Sequence, residues 1–114
     1  MFKDPKKKYE IVQNAISYEL ANFIFDYLLM QRDATAFLIR KGMIPDITGT
    51  PFGSWQDKQV PNTFSKYGDP VLETLLMKLL PVTGRITQQN LIPCYAYSRL
   101  YKKGDELVRH KDRP

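Results

Sequence analysis

The longest periodic stretch of the chain begins at Ser17, and it constrains the fold more than any other feature. Apolar side chains recur along it every three or four residues, and polar side chains fall on the opposite side. The apolar positions are Leu20, Ile24, Tyr27, Leu28, Ala34, Thr35 and Leu38. Ser17 is a suitable N-cap, and Gly42 suits the position just after a helix end. The pattern predicts a packing helix over about 18–40.

The next segment, residues 42–68, has no helical or strand period because proline and glycine interrupt it repeatedly. We predict a long loop pinned by the aromatic side chains of Phe52, Trp55, Phe64 and Tyr67. These aromatics either line a substrate groove or only anchor the loop to the core.

A second helix is predicted to begin at Asp69 and Pro70. The carboxylate can cap the helix, and proline is tolerated at the first helical position. An apolar stripe follows, made of Leu72, Leu75, Leu76 and Leu79. Pro81 cannot make the ordinary backbone hydrogen bond, so the helix is expected to kink or end just before it, over about 70–80, with Gly84 marking the exit at the latest.

Residues 91–112 are predicted to form the first strands of a sheet. Alternation gives one aromatic and polar face, made of Tyr95, Tyr97, Arg99 and Tyr101. Residues 102–105 supply a turn in which Gly104 can take a positive φ. A second strand is then expected to run from Glu106 towards Asp112.

Composition predicts a single domain over residues 1–114. The chain is 43% hydrophobic and 25% charged, which is ordinary for a globular protein. It has no apolar stretch near the roughly 20 residues of a membrane-spanning helix, and its basic N-terminus lacks the apolar part of a secretory signal. We therefore expect a cytoplasmic location and no membrane partner. Cys94 is the only cysteine, which excludes an intramolecular disulfide framework, and it is predicted to be a small core residue.

The chemistry-bearing residues of the sequence are His110 and Asp112. In a strand, residues two apart point to the same side, so both side chains can reach one metal ion. An imidazole and a carboxylate are two members of the two-histidine, one-carboxylate triad of non-haem Fe(II) oxygenases. His110 is the only histidine among the 114 residues, so the second imidazole cannot come from within them.

About half of the chain resembles a known family. The stretches that carry the resemblance are 59–65 (QVPNTFS) with 67–70 (YGDP), 91–107 (LIPCYAYSRLYKKGDEL) and 110–114 (HKDRP). They resemble the prolyl-4-hydroxylase-like 2-oxoglutarate and Fe(II)-dependent oxygenases, in particular their environmental and phage-type members. The second stretch joined to the third is the specific part, because its tyrosine, glycine, histidine and aspartate stand at the family's spacing.

The resemblance implies an α+β fold, in which N-terminal helices flank the first strands of an incomplete double-stranded β-helix, or jelly-roll. It also implies that His110 and Asp112 are iron ligands, and that Tyr101, nine residues before His110, hydrogen-bonds 2-oxoglutarate. No catalytic residue is implied beyond the metal ligands. The implied reaction hydroxylates a peptide or protein substrate, proline being the first expectation, with O₂ consumed, succinate and CO₂ formed, and ascorbate as an optional addition.

The sequence departs from the family at its end, because the distal histidine and the basic partner of 2-oxoglutarate would lie beyond Pro114. The chain is therefore expected to be the N-terminal part of the enzyme and inactive alone. Its unpaired strand edges are expected to favour self-association. The alternatives are an inactive structural fragment, or a small basic module that binds an acidic protein or nucleic acid through the aromatic strand face. The net charge of +5 is weak support for that module, and the spread of basic residues disfavours nucleic acid.

Overall fold

The structure, a computed structural model, describes residues 9–110. Four elements follow in the order α1 (Tyr18–Arg40), β1 (Phe64–Tyr67), α2 (Pro70–Thr87) and β2 (Tyr97–Leu100). The two strands pair antiparallel, with Ser65 opposite Arg99. The predicted α+β class is confirmed at this level. Neither helix within residues 9–110 combines the length and the apolar composition that a membrane span needs.

Helix α1 begins and ends as predicted, because both caps are encoded locally. The Ser17 hydroxyl accepts a hydrogen bond from the Leu20 amide at 3.0 Å. At the other end Gly42 takes a φ of 73°, and its amide donates to the Ile39 carbonyl while the Met43 amide donates to the Leu38 carbonyl. This pair of bonds is a Schellman motif, which satisfies carbonyls that have no partner inside the helix.

Helix α2 begins at the predicted cap but is longer than the predicted 70–80. The Asp69 carboxylate accepts from the Val71 amide at 2.8 Å. The helix continues through Pro81 to Thr87 and ends at Gln88, which takes the left-handed conformation at φ 55°. Proline removes one hydrogen bond and bends a helix, but helical residues can resume on its far side. The predicted exit at Gly84 is therefore replaced by a cap four residues later, at Gln88.

Strand β1 lies inside the segment predicted to be a loop throughout. Its first residue, Phe64, is 1% exposed, and its ring lies 5.0 Å from the Trp55 ring. Ser65 exchanges two main-chain hydrogen bonds of 2.9 Å with Ser54. Phe64 and Tyr67 therefore serve as anchors, since Phe64 is buried and Tyr67 stacks on Tyr97 with ring centroids 5.0 Å apart, whereas Phe52 is exposed.

We expect Gly53→Ala to destabilise the chain by about 1–3 kcal/mol, because a Cβ at this position would overlap the buried Phe64 ring. Urea denaturation measures the effect. Gly84→Ala is the matched control. Its nearest neighbour would be 3.6 Å away, so alanine inside the helix should stabilise by about 0.5–1 kcal/mol. Equal effects of the two substitutions would contradict the assigned contact.

A buried polar cluster joins α1 to the start of α2. Asp69, which is fully buried, accepts from the Tyr27 hydroxyl at 2.7 Å and pairs with the Lys66 ammonium at 2.8 Å. Lys66 also donates to the Gln31 side chain. Burial and the hydrogen bond to Asp69 raise the pKa of Tyr27 to about 12. Although burial works to raise the pKa of Asp69, bonds from Lys66, Tyr27 and the Val71 amide hold it below its usual value.

The apolar core of the described residues is small, with only Val60, Phe64 and Leu72 buried among their hydrophobic side chains. Between α1 and α2 lies an apolar groove of about 260 Å³, lined by Leu20, Phe23, Ile24, Val71, Thr74, Leu75 and Lys78. Cys94, predicted to be a core residue, is exposed. Its segment precedes β2 and belongs to no strand, so the alternation pattern did not imply burial there.

The predicted strand after the turn is not formed over residues 106–110. The turn itself is as expected, since the Asp105 amide donates to the Lys102 carbonyl at 2.9 Å and Gly104 has a φ of 93°. Strand formation needs a partner for each main-chain group as well as a turn. The end of the predicted strand, including Asp112, lies outside the described residues.

Candidate functional site

The predicted site residues lie at the end of the described chain. Tyr101 directly follows β2 and is about half exposed. His110 is exposed, and Asp112 falls outside the described residues. Among residues 9–110, no three His, Cys, Asp or Glu side chains come together as a metal site would require. Of the two predicted iron ligands, His110 lies within the described residues and Asp112 does not.

The His110 ring is oriented by its own backbone. Its Nδ1 lies 2.9 Å from the Val108 carbonyl oxygen. A carbonyl oxygen only accepts hydrogen bonds, so Nδ1 carries the proton in this contact. A neutral imidazole bonded in this way has its lone pair on Nε2, and that nitrogen can ligate a metal.

Arg99, on the same strand face as Tyr101, is held by a buried carboxylate that the sequence did not suggest. Its guanidinium lies 2.7 Å from the Asp57 carboxylate, and the two side chains are 4% and 8% exposed. Asp57 also accepts from the Tyr67 hydroxyl at 2.8 Å and from the Gln59 amide at 2.9 Å. We name this group, Asp57, Tyr67 and Arg99, the carboxylate cluster.

The electrostatics of the carboxylate cluster favour its charged form. Burial tends to raise the pKa of Asp57, but the Gln59 amide, Tyr67 and Arg99 hold it below its usual value. Burial and the bond to Asp57 raise the pKa of Tyr67 to about 12. Burial tends to lower the pKa of Arg99, yet its contacts with Tyr101 and Asp57 raise it. Asp57 is therefore a fixed anion that positions Arg99, and it is not poised to exchange protons near neutral pH.

Arg99 keeps one side-chain donor without a partner among residues 9–110. Its Nε is buried and has no hydrogen-bond acceptor within the described residues. An unmet donor of a buried cation has a substantial cost, and an added acceptor would remove it. Strand alternation placed Arg99 on this face but assigned it no role. The carboxylate partner of Arg99 is the chain's own Asp57, which stands in an irregular segment where no periodicity could identify it.

The turn before the predicted metal motif is anchored to the residues that precede β1. Asp105 accepts from the Lys102 amide at 2.8 Å and from the Thr63 hydroxyl at 2.8 Å. The Lys102 ammonium bonds Asp105 and the Asn62 carbonyl. The Lys102 amide and side chain are the main reasons why the pKa of Asp105 falls to about 2. These contacts fix the direction in which the chain leaves β2.

A shallow cavity of about 360 Å³ opens on the carboxylate cluster. It is lined by Thr48, Gly49, Gln56, Asp57, Lys58 and Tyr67. The polar side chains of Asp57 and Tyr67 that line it are already hydrogen-bonded to each other. The cavity therefore brings no reactive group to a ligand. No family model, curated protein or solved structure matches this chain.

Proposed function

We propose that the chain is the N-terminal part of a 2-oxoglutarate- and Fe(II)-dependent dioxygenase that hydroxylates a peptidyl residue, as prolyl hydroxylases do. In this proposal α1 and α2 flank the first strands of a jelly-roll, in the cytoplasm. The observation that carries it is the spacing of Tyr101, Gly104, His110 and Asp112 in the sequence. The second imidazole and the basic partner of 2-oxoglutarate would come from a further segment.

The hydrogen bonding of the His110 ring suits a metal ligand. Donation from Nδ1 to the Val108 carbonyl holds the ring in the tautomer that ligation through Nε2 requires. Metal-binding histidines usually make such a second bond, because it fixes both the tautomer and the ring orientation. His110 and Asp112 would hold the iron.

The surroundings of Tyr101 fit a residue that orients an anionic co-substrate. Its contact with Arg99 places a cation beside the hydroxyl, and Asp57 keeps that cation in place. An iron ion held by His110 and Asp112 would supply the oxidation chemistry, with 2-oxoglutarate and O₂ consumed and succinate and CO₂ formed as the substrate is hydroxylated. The residues of this chain would hold and orient the reactants.

The alternative is a small basic binding module that uses the same strand face. Arg99 is paired with Asp57, and Lys102 with Asp105 and the Asn62 carbonyl. An acidic partner would have to displace these internal bonds, which lowers the gain from each contact. The pairing of these cations therefore weighs against an acidic partner at this face.

Metal binding by the chain itself tests the proposal. We expect Mn²⁺, used as a paramagnetic substitute for Fe²⁺, to broaden the NMR signals of residues around 108–112 selectively. His110→Ala should weaken this binding at least about tenfold, because the substitution removes a ligand. Arg109→Ala is the matched control, since the residue is adjacent and carries no metal-binding atom.

Three results would contradict the metal site. The first is broadening centred on carboxylates elsewhere in the chain, the second is binding that His110→Ala leaves unchanged, and the third is equal loss in Arg109→Ala. Circular dichroism of each variant separates loss of the ligand from loss of the fold.

A further inference from the structure

The outer edge of β2 has main-chain groups available for pairing. Ser65 exchanges both of its main-chain hydrogen bonds with Ser54, so these groups point away from β2. Ser65 opposite Arg99 is therefore a non-hydrogen-bonded pair, and the Arg99 N–H and C=O point away from β1. The bond from the Gly68 amide to the Ala96 carbonyl fits the same alternation. By the same alternation, the main-chain N–H and C=O groups of Tyr97 point away from β1, as those of Arg99 do. Continuing the alternation by two residues gives the same direction for Tyr101.

Solvent reaches this edge. Arg99 as a whole is half-buried, although its side chain is only 4% exposed, so the accessible part of the residue is mainly its main chain. Within the described residues β2 has a single neighbour, β1. Strand β2, with the sequence YSRL, contains no proline and no lysine, two residue types that protect exposed edges.

We propose that β2 is the contact of a symmetric dimer, in which two copies of this chain pair antiparallel about Arg99. This register pairs all three outward-facing residues: Arg99 lies opposite its own copy, and Tyr97 lies opposite Tyr101 of the second copy. The result is a four-stranded sheet closed by about six new main-chain hydrogen bonds.

The side chains suit this register. Tyr97 and Tyr101 are 47% and 48% exposed, so each has aromatic surface left to bury against the other. Two arginines directly opposite each other would ordinarily repel. Here each guanidinium is already paired with its own Asp57 at 2.7 Å, which removes most of that repulsion. The edge is therefore complementary to itself, and a second copy is the partner that it fits.

Light scattering of the unaltered chain over a concentration series gives the first test, and we expect the mass to rise towards twice that of one chain. Disulfide trapping gives the register. In a Cys94→Ala background, Tyr97→Cys and Tyr101→Cys chains are prepared separately and then mixed under mild oxidation. Positions 97 and 101 of the two copies would lie about 5.5 Å apart, within the range of a disulfide.

The mixed sample should form the covalent dimer at least about tenfold faster than Tyr101→Cys alone, because two copies of position 101 would lie about 14 Å apart. A chain that stays monomeric over the whole concentration series would overturn the proposal. Equal trapping in the mixed and single samples would also overturn it, since it would mean association through other surfaces such as the exposed helix faces. The outcome does not depend on the metal site, because neither measurement uses a metal.

Discussion

Asp69→Asn is expected to destabilise the chain by about 3–5 kcal/mol, the largest effect of any single substitution considered. Asparagine can still cap α2 and bond Tyr27, so the stability that is lost reports the contribution of the negative charge alone. The Lys66 ammonium, whose side chain is 10% exposed, would be left without its carboxylate, and an unpaired buried charge costs about this much. Urea denaturation at pH 7 measures it.

The double substitution Asp69→Asn with Lys66→Met is the informative control. Methionine removes the unpaired ammonium of Lys66 and keeps a similar apolar side chain, so most of the lost stability should return. Additive losses in the double variant would show instead that each side chain acts independently, and the ion pair would then not explain the result.

Arg99→Leu should cost about 3 kcal/mol, somewhat less than Asp69→Asn. The Asp57 carboxylate would lose its cation while keeping the Tyr67 hydroxyl and the Gln59 amide. Thermal and urea unfolding measure the change. The exposed pair of Arg32 and Asp33 is the matched control, because its side chains are 41% and 72% exposed and Arg32→Leu should change stability by about 0.5 kcal/mol or less. Similar losses at the two arginines would refute the role assigned to burial.

The same cluster sets the pH dependence of stability. The pKa of Asp57 is lowered in the folded chain, so its contribution is present above the unfolded value of about 3.9 and is lost as the pH falls through the folded value. The pKa of Tyr67 is raised to about 12, so its contribution is present below about 10 and is lost as the pH rises towards 12. Wild type should therefore lose stability at both extremes, and Asp57→Asn should reduce both losses.

Local patterns predicted the helices more accurately than the strands. The start and end of α1 followed from Ser17 and Gly42, and the start of α2 from Asp69 and Pro70, because caps act within a few residues. The end of α2 did not follow from Pro81, since one missing hydrogen bond does not decide whether later residues resume the helix. Strand β1 was missed, because its partner residues in β2 lie thirty or more positions further along the chain.

The sequence by itself determined the helix caps, the glycine turn and the spacing from Tyr101 to His110, all of which depend on neighbours a few residues apart. The turn and its Gly104 conformation agree with that expectation, and the iron site stays a prediction. Only the tertiary structure decided that Asp57 would meet Arg99 and that Asp69 would meet Tyr27. Each of these contacts joins residues about forty positions apart, and an isolated carboxylate in a sequence carries no sign of the partner that burial will require it to find.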